Sequence, residues 1–343
     1  VTACRQCHQE IVDTYRQTAH FNTSAPADSV TVKGPFAEGA NILRTRDPKV
    51  QFTMESRRQG YYQRASDLGR MLSRAERFEL TIGSGRKGQS YLYWRGGRLF
   101  QLPVSYLTAS DGWVNSPGYH DGVIDFDRPI GPRCLECHST TFQLADDPSG
   151  LAYQGEYRLG ITCEKCHGDG RDHIARSTGG GRAAQGSIVN PATIPRDRQI
   201  DICALCHSGV REPTKPAFSF RPGEPLADYF RAEPDSQTAA PDVHGNQIAL
   251  LRLSKCYRAS PRMSCATCHD VHRPQRDLAD FVPKCLSCHQ SLRHQADLGE
   301  RLVSSCIDCH MPDQRSNALQ FNTPTTQFAP SYRNHRIAVY SGR

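Results

Sequence analysis

The hydrophobic pattern changes character along the chain. Between residues 31 and 130, short apolar runs recur at strand length: Val50-Gln51-Phe52-Thr53-Met54, Phe78-Glu79-Leu80-Thr81-Ile82 and Tyr91-Leu92-Tyr93-Trp94. A period of two, rich in aromatic and β-branched residues, predicts half-buried strands. Tyr91–Trp94 and Leu99–Leu102 flank Arg95-Gly96-Gly97-Arg98, where Gly-Gly predicts a two-residue hairpin turn. The Gly-rich run Ile82–Gly88 lacks the spacing of a phosphate loop and reads as a turn. A short helix is expected near Leu68–Arg77. Residues 31–130 should thus form a small antiparallel β module.

The flanking regions read differently. Ile11, Val12 and Tyr15 define an apolar helical face, on a helix expected to run from the residues after Cys7 to His20. From residue 131 onward, short helices are expected between Pro- and Gly-rich linkers. Segments 177–200 and 211–245 read as loops. The expected organisation is an N-terminal segment 1–30, the β module 31–130, and a third region 131–343. No apolar run approaches the length of a membrane-spanning helix. Nothing at Val1 reads as a secretory leader, as for a chain numbered from its mature start.

Composition sharpens the picture. Only 37% of the 343 residues are hydrophobic and mean hydropathy is −0.59, which is lean for a chain of this length. The unusual counts are 15 Cys and 14 His. Fourteen cysteines fall in seven C-x-x-C-H units. The first is Cys4, Cys7 and His8; the second is Cys134, Cys137 and His138; the third is Cys163, Cys166 and His167. The fourth is Cys203, Cys206 and His207; the fifth is Cys265, Cys268 and His269. The sixth is Cys285, Cys288 and His289; the seventh is Cys306, Cys309 and His310. This is the attachment signature of c-type haem. Two thiols one helical turn apart add to the two vinyl groups on one porphyrin edge, and the following His supplies the proximal imidazole. A zinc site, a redox dithiol or a disulfide framework explains a single C-x-x-C. None of these requires His after every pair. Seven covalent haems, one per roughly 49 residues, would also supply the apolar surface that the side chains lack. The motifs follow no solenoid period, with spacings of 29, 40, 62, 20 and 21 residues between first cysteines from Cys134 onward.

Seven histidines remain: His20, His120, His173, His244, His272, His294 and His335. One spare imidazole per haem is what bis-His ligation needs. His173, His272 and His294 follow their nearest motif His by only six, three and five residues. Chains this short hardly pass around a porphyrin, so these three are expected to ligate a neighbouring haem. His20 and His335 read as ligands, His244 is a weaker case, and His120 is balanced against a surface loop histidine. The four methionines, Met54, Met71, Met263 and Met311, are expected to pack. Cys256 stands outside the motifs; an inert thiol, an axial thiolate, a reactive thiol and an intermolecular bridge are all open to it.

The formal charge of +7 is not a nucleic-acid signal, because each bis-imidazole haem with two ionised propionates adds about −1 when ferric and about −2 when ferrous. Arg makes up 35 of the 42 cations, and a forked guanidinium suits propionates.

Cys163-Glu164-Lys165-Cys166-His167-Gly168 with His173, the Cys265–His272 segment, and Cys306-Ile307-Asp308-Cys309-His310-Met311-Pro312 resemble the multihaem cytochrome superfamily. That superfamily includes the tetrahaem electron acceptor of hydroxylamine oxidoreductase, multihaem nitrite reductases and extracellular cytochrome filaments. The resemblance covers residues 134–343, and the β module is similar to segments of large multihaem proteins. It implies a mostly irregular and α fold with short helices around stacked haems, and a periplasmic or extracellular location. It also implies redox partner proteins or extracellular electron acceptors, or a homopolymer in which His20 or His335 ligates across an interface. Two departures matter. No motif ends in the lysine typical of ammonia-forming nitrite reductases, and no tyrosine matches the haem cross-link of hydroxylamine oxidoreductases.

The leading expectation is therefore an electron-transfer wire rather than an enzyme, with no catalytic residue, either as a carrier or as a filament subunit. The alternative is an oxidoreductase acting on a small nitrogen or sulfur compound at one haem with an open coordination position. A redox-silent scaffold is disfavoured by seven haems.

Overall fold

The computed structural model describes residues 1–179, 188–209, 211–231, 246–292, 294, 299–316, 320–323 and 327–340. The chain forms two compact units. One comprises Val1–Thr18, Cys163–Ala318 and Ser331–Arg343; the other comprises Ala19–Thr162 and Leu319–Pro330. The second motif, Cys134–His138, lies in the β-rich unit, and the other six lie in the helical unit.

The β-rich unit contains ten strands before its haem motif: β1 Ser24–Pro26, β2 Ile42–Arg44, β3 Val50–Arg57, β4 Gly60–Asp67, β5 Leu72–Arg77, β6 Leu80–Ile82, β7 Gly88–Arg95, β8 Arg98–Gln101, β9 Val104–Leu107 and β10 Gly112–Asn115. They make a four-stranded sheet, β2-β3-β4-β5, and a six-stranded sheet, β1-β6-β7-β9-β10 with β8 also on β7. Val50, Phe52 and Met54 on β3 alternate into one core with Tyr91 and Tyr93 of β7, Val104 of β9 and Trp113 of β10. Tyr91 stacks on Phe78 at 4.1 Å. The expected hairpin joins β7 to β8, with Gly96 and Gly97 at φ 58° and 74°, where a side chain would be strained. One buried polar side chain clamps the sheets. Gln63 on β4 donates to the Val104 carbonyl at 3.1 Å and accepts from the Val104 N–H at 2.9 Å.

Three expectations change. The segment Leu68–Arg77 is not a helix: the Asp67 carboxylate accepts from the Gly69 and Arg70 N–H groups, turning the chain so that β5 pairs with β4. Met71, at φ 49° in that turn, is 94% exposed and packs on nothing, unlike buried Met54. The N-terminal helix Gln9–Tyr15 ends short of His20, because the Thr18 hydroxyl caps the Tyr15 carbonyl at 2.7 Å. The sequence reading also missed a hairpin after the second motif, β11 Ser139–Leu144 paired with β12 Tyr153–Leu159.

Among its described residues, the helical unit is built from α-helices of four to twelve residues and short 3-10 turns. The longest, Arg196–His207, carries the fourth motif and packs Ile200, Ala204 and Leu205 against Leu226, Tyr229, Phe230, Ile248 and Tyr257. Elsewhere among its described residues, few apolar side chains are buried, Val12, Tyr15, Val282 and Ile307 among them.

Candidate haem sites

Each motif folds as one helical turn, which brings its two thiols and its imidazole to one side. Cys163–His167 and Cys306–His310 are short α-helices. In the first, fifth and sixth motifs the His N–H bonds the carbonyl of the first Cys at 2.9, 2.9 and 3.0 Å. The fifth turn is capped reciprocally by Ser264 and Thr267.

The thiols of the second and fourth motifs sit in different surroundings. Cys134 and Cys137 both lie on the helix Pro132–His138, where Cys134 is exposed and Cys137 is half-buried. Cys203 and Cys206 lie on the last turn of Arg196–His207, and Cys206 packs against the apolar core that Ile200 and Tyr257 share. Cys206 thus contributes to side-chain packing as well as to its motif, a role that its spacing alone does not reveal. Cys7 and Cys288 are exposed, whereas Cys309 is half-buried. Among the described residues no cysteine forms a disulfide, so none competes for the motif pairs. Burial pushes the Cys163 and Cys166 thiols up to about 11, the neighbouring Cys4 adding to the effect at Cys163.

The imidazoles are arranged in opposed pairs. His8 faces His173 with ring centroids 6.5 Å apart and 20° between planes. His167 faces His272 at 6.1 Å and 24°, and His269 faces His335 at 6.3 Å and 26°. His294 and His310 stand at 6.1 Å with a 56° tilt. Two imidazoles bound to opposite sides of one metal, each through a bond of about 2 Å, have centroids roughly 6 Å apart. The four pairs match that spacing, so these residues fit a haem iron between them. Zinc ligation needs a converging group instead, and among the described residues no three His, Cys, Asp or Glu side chains converge.

Hydrogen bonds orient the rings. His167 Nδ1 lies 2.9 Å from the Val189 carbonyl, His310 Nδ1 2.9 Å from the Ala338 carbonyl, and His335 Nδ1 3.1 Å from the Arg333 carbonyl. A carbonyl only accepts, so Nδ1 carries the proton and Nε2 keeps the lone pair that binds metal. His138 Nδ1 is held by the Thr23 hydroxyl at 3.0 Å. Burial lowers the pKa of His269, His272 and His335, which keeps them neutral and available as ligands. Tyr15 packs edge-on against His272 at 6.1 Å.

The C-terminal segment serves two sites. It presents His335 to His269 and the Ala338 carbonyl to His310. Ser254, fully buried, fixes it by donating to the His335 carbonyl at 3.1 Å and accepting from the Ile337 N–H at 2.7 Å. The sequence carries no signal for such carbonyl partners, since any residue supplies one.

Several motif thiols act on one another electrostatically. Cys4 adds to the rise at Cys163, and Cys265 helps push Cys203 well above its ordinary value. Burial raises Cys268 and Cys285, and neighbouring thiols add to it electrostatically: Cys285 at Cys268, and Cys306 at Cys285. Cys166 acts on Cys203 in the same way. Cys256 adds to the rise at both Cys268 and Cys285.

The remaining histidines are placed as follows. His20 lies just past the N-terminal helix; its carbonyl accepts from the Ile161 N–H, within the same unit as His138. His207 ends the helix Arg196–His207. His120 and His289 are exposed. His244 lies outside the described residues.

Haem-attachment turns repeated along one chain support a multihaem c-type cytochrome, a class whose cofactor is covalently bound haem c. Residues 3–48 and 121–168 match the family of cytochromes c554 and c-prime. The chain is 24% identical over 161 residues to the C-type polyheme cytochrome OmcC of Geobacter sulfurreducens, covering 46% of this chain but only 20% of that protein. Its fold is similar to the outer cell wall cytochrome OcwA, with a TM-score of 0.61 and 17% identity over 98% of this chain and 78% of OcwA. An undecaheme cytochrome from the S-layer of Carboxydothermus ferrireducens aligns at a TM-score of 0.44 and 16% identity, over 97% of this chain and 56% of that one. Among the described residues no helix is long and apolar enough to cross a membrane.

Proposed function

We propose that this chain carries electrons through seven covalently attached haems, outside the cytoplasmic membrane, exchanging them with redox proteins or extracellular acceptors. The observation that carries this reading is the set of four opposed imidazole pairs at 6.1–6.5 Å. In it, His173, His272, His335 and His294 are the distal ligands of the first, third, fifth and seventh motifs. His20 serves His138, whose Thr23 anchor lies three residues away. His244, which lies outside the described residues, is kept as a distal ligand without a motif assigned to it.

When bound, haem supplies reversible one-electron chemistry at iron, and the protein sets its potential through ligands, burial and hydrogen bonds. This chain's residues hold the rings, fix the imidazole tautomers and keep adjacent sites in contact. The helical unit holds the first, third, fourth, fifth, sixth and seventh motifs. The crossing histidines link these sites in pairs: His173 ties the third site to the first, His272 the fifth to the third, and His294 the sixth to the seventh.

A carrier is favoured over a filament held together by His335, since that ring has its partner within its own chain. Electron microscopy of concentrated protein tests this directly. Dispersed particles are expected, and ordered filaments would return the polymeric form to the lead. Potentiometric titration tests conduction: stepwise reduction of several haems is expected, and a redox-inert protein would end the reading.

A further inference from the structure

One short helix reaches from the first motif to the third site. His8 stands at the start of the helix Gln9–Tyr15, and Arg5 within the motif donates to Asp13 of that helix at 3.0 Å. Val12 and Tyr15 are its buried residues. The helix is pinned at Tyr15 itself, whose carbonyl accepts from both the hydroxyl and the N–H of buried Thr18, at 2.7 and 2.9 Å. With its backbone fixed in this way, Tyr15 meets the His272 ring edge-on, at 6.1 Å between centroids and 61° between planes. His272 in turn faces His167 at 24°. The two rings of that pair are held differently. His167 Nδ1 lies 2.9 Å from the Val189 carbonyl. His272 Nδ1 stands 3.8 Å from the Asp270 carboxylate, beyond direct hydrogen-bond reach. An edge-on aromatic contact has a preferred geometry of its own, so it restrains the ring it meets.

We propose that Tyr15 is a positioning residue of the third haem site, its ring setting the rotation of the His272 imidazole and thereby the potential of that iron. This rests on the reading of His167 and His272 as opposed ligands of one haem. Groups that orient an axial ligand tune the metal it binds. Rotating an imidazole about its iron bond changes which iron orbital its π system overlaps. The angle between the two planes therefore sets the anisotropy of the low-spin EPR signal. Burial, with the Cys166 and Cys163 thiols adding to it, raises the Tyr15 pKa, so the ring stays neutral and the restraint does not change near neutral pH.

The test uses the full holoprotein, with EPR of the oxidised form and a potentiometric titration. His272→Ala is read first: one low-spin haem should become high-spin, and an unchanged spectrum overturns the ligand reading itself. Tyr15→Leu removes the aromatic edge and keeps the backbone bonds to Thr18. It should leave every iron low-spin and the haem count unchanged, while shifting the g values of one low-spin signal and the potential of one haem. Tyr15→Met is read in the same way should Tyr15→Leu not accumulate. Tyr15→Phe keeps the ring and should restore both readouts to those of the parent protein. Val12→Ala loosens the same buried helix face; it should lower thermal stability and leave g values and potentials in place. Parent-like g values and potentials in Tyr15→Leu, or the same shift in Val12→Ala, would reduce Tyr15 to packing and overturn the proposal. So would a Tyr15→Phe protein that behaves like Tyr15→Leu, since the hydroxyl rather than the ring edge would then hold the site.

Discussion

The imidazoles of His167 and His272 stand 6.1 Å apart between centroids, with 24° between their planes, although 105 residues separate them in the chain. His272 follows His269 by three residues, yet its ring opposes the His of a different motif. The same crossing joins His173 to His8 and His294 to His310. Short tethers between motif and spare histidine therefore link neighbouring sites to each other. Burial lowers the pKa of His272, consistent with a neutral ring that offers Nε2.

Replacing one of these spare rings should change one site and leave the rest. His272→Ala and His335→Ala are each expected to convert one low-spin haem to high-spin, with the total haem count unchanged. EPR spin quantitation checks this. A spectrum identical to the parent protein would show that the ring serves no iron.

Ser254 acts through His335 without touching a haem-attachment residue. Ser254→Ala leaves the Ile337 N–H and the His335 carbonyl without their partner inside the protein, at a cost of about 1–3 kcal/mol. Lower thermal stability and a shifted potential for one haem are expected, with all ligated irons still low-spin. Ser254→Thr, which keeps the hydroxyl, should recover the potential. A potential unmoved by Ser254→Ala would reduce the residue to packing.

The β-rich unit has its own keystone. Gln63→Leu removes both bonds to Val104 and strands a buried carbonyl and N–H, which costs about 2 kcal/mol or more. Urea unfolding followed by tryptophan fluorescence should show a lower midpoint, since Trp113 lies in the same core. An unchanged midpoint would contradict the clamp.

Acid should weaken this unit in a defined direction. The Arg64 and Arg57 guanidiniums hold the Glu55 carboxyl below its usual range. Because the folded-state pKa is the lower one, the stabilisation is complete above the ordinary carboxylate pKa and is lost as pH falls through the folded value. The pairs are partly exposed, so the effect is about 1 kcal/mol or less. In Glu55→Gln, the difference from the parent protein should vanish at low pH and be greatest near neutrality. The opposite trend would contradict the assigned sign.

The sequence was most legible where covalent chemistry or backbone geometry imposes spacing. The C-x-x-C-H units and the Gly96-Gly97 hairpin are of this kind, because thioether reach and positive φ admit few residues. It was least legible where a partner is any backbone carbonyl, as at Val189 and Ala338, or where a side chain overrides local propensity. Asp67 shows the latter: its carboxylate turns the chain at a point where Leu68–Arg77 reads as helical. The pairing of spare histidines with motifs was also hidden, since it depends on which turns pack together rather than on distance along the chain.

The central claim is that all seven motifs carry covalent haem. Its most direct measurement is the haem-to-protein ratio of the purified protein by pyridine haemochrome, repeated after acid–acetone extraction. Seven haems per chain, all retained by the polypeptide, are predicted. A lower ratio, or haem released into the solvent, would contradict the account.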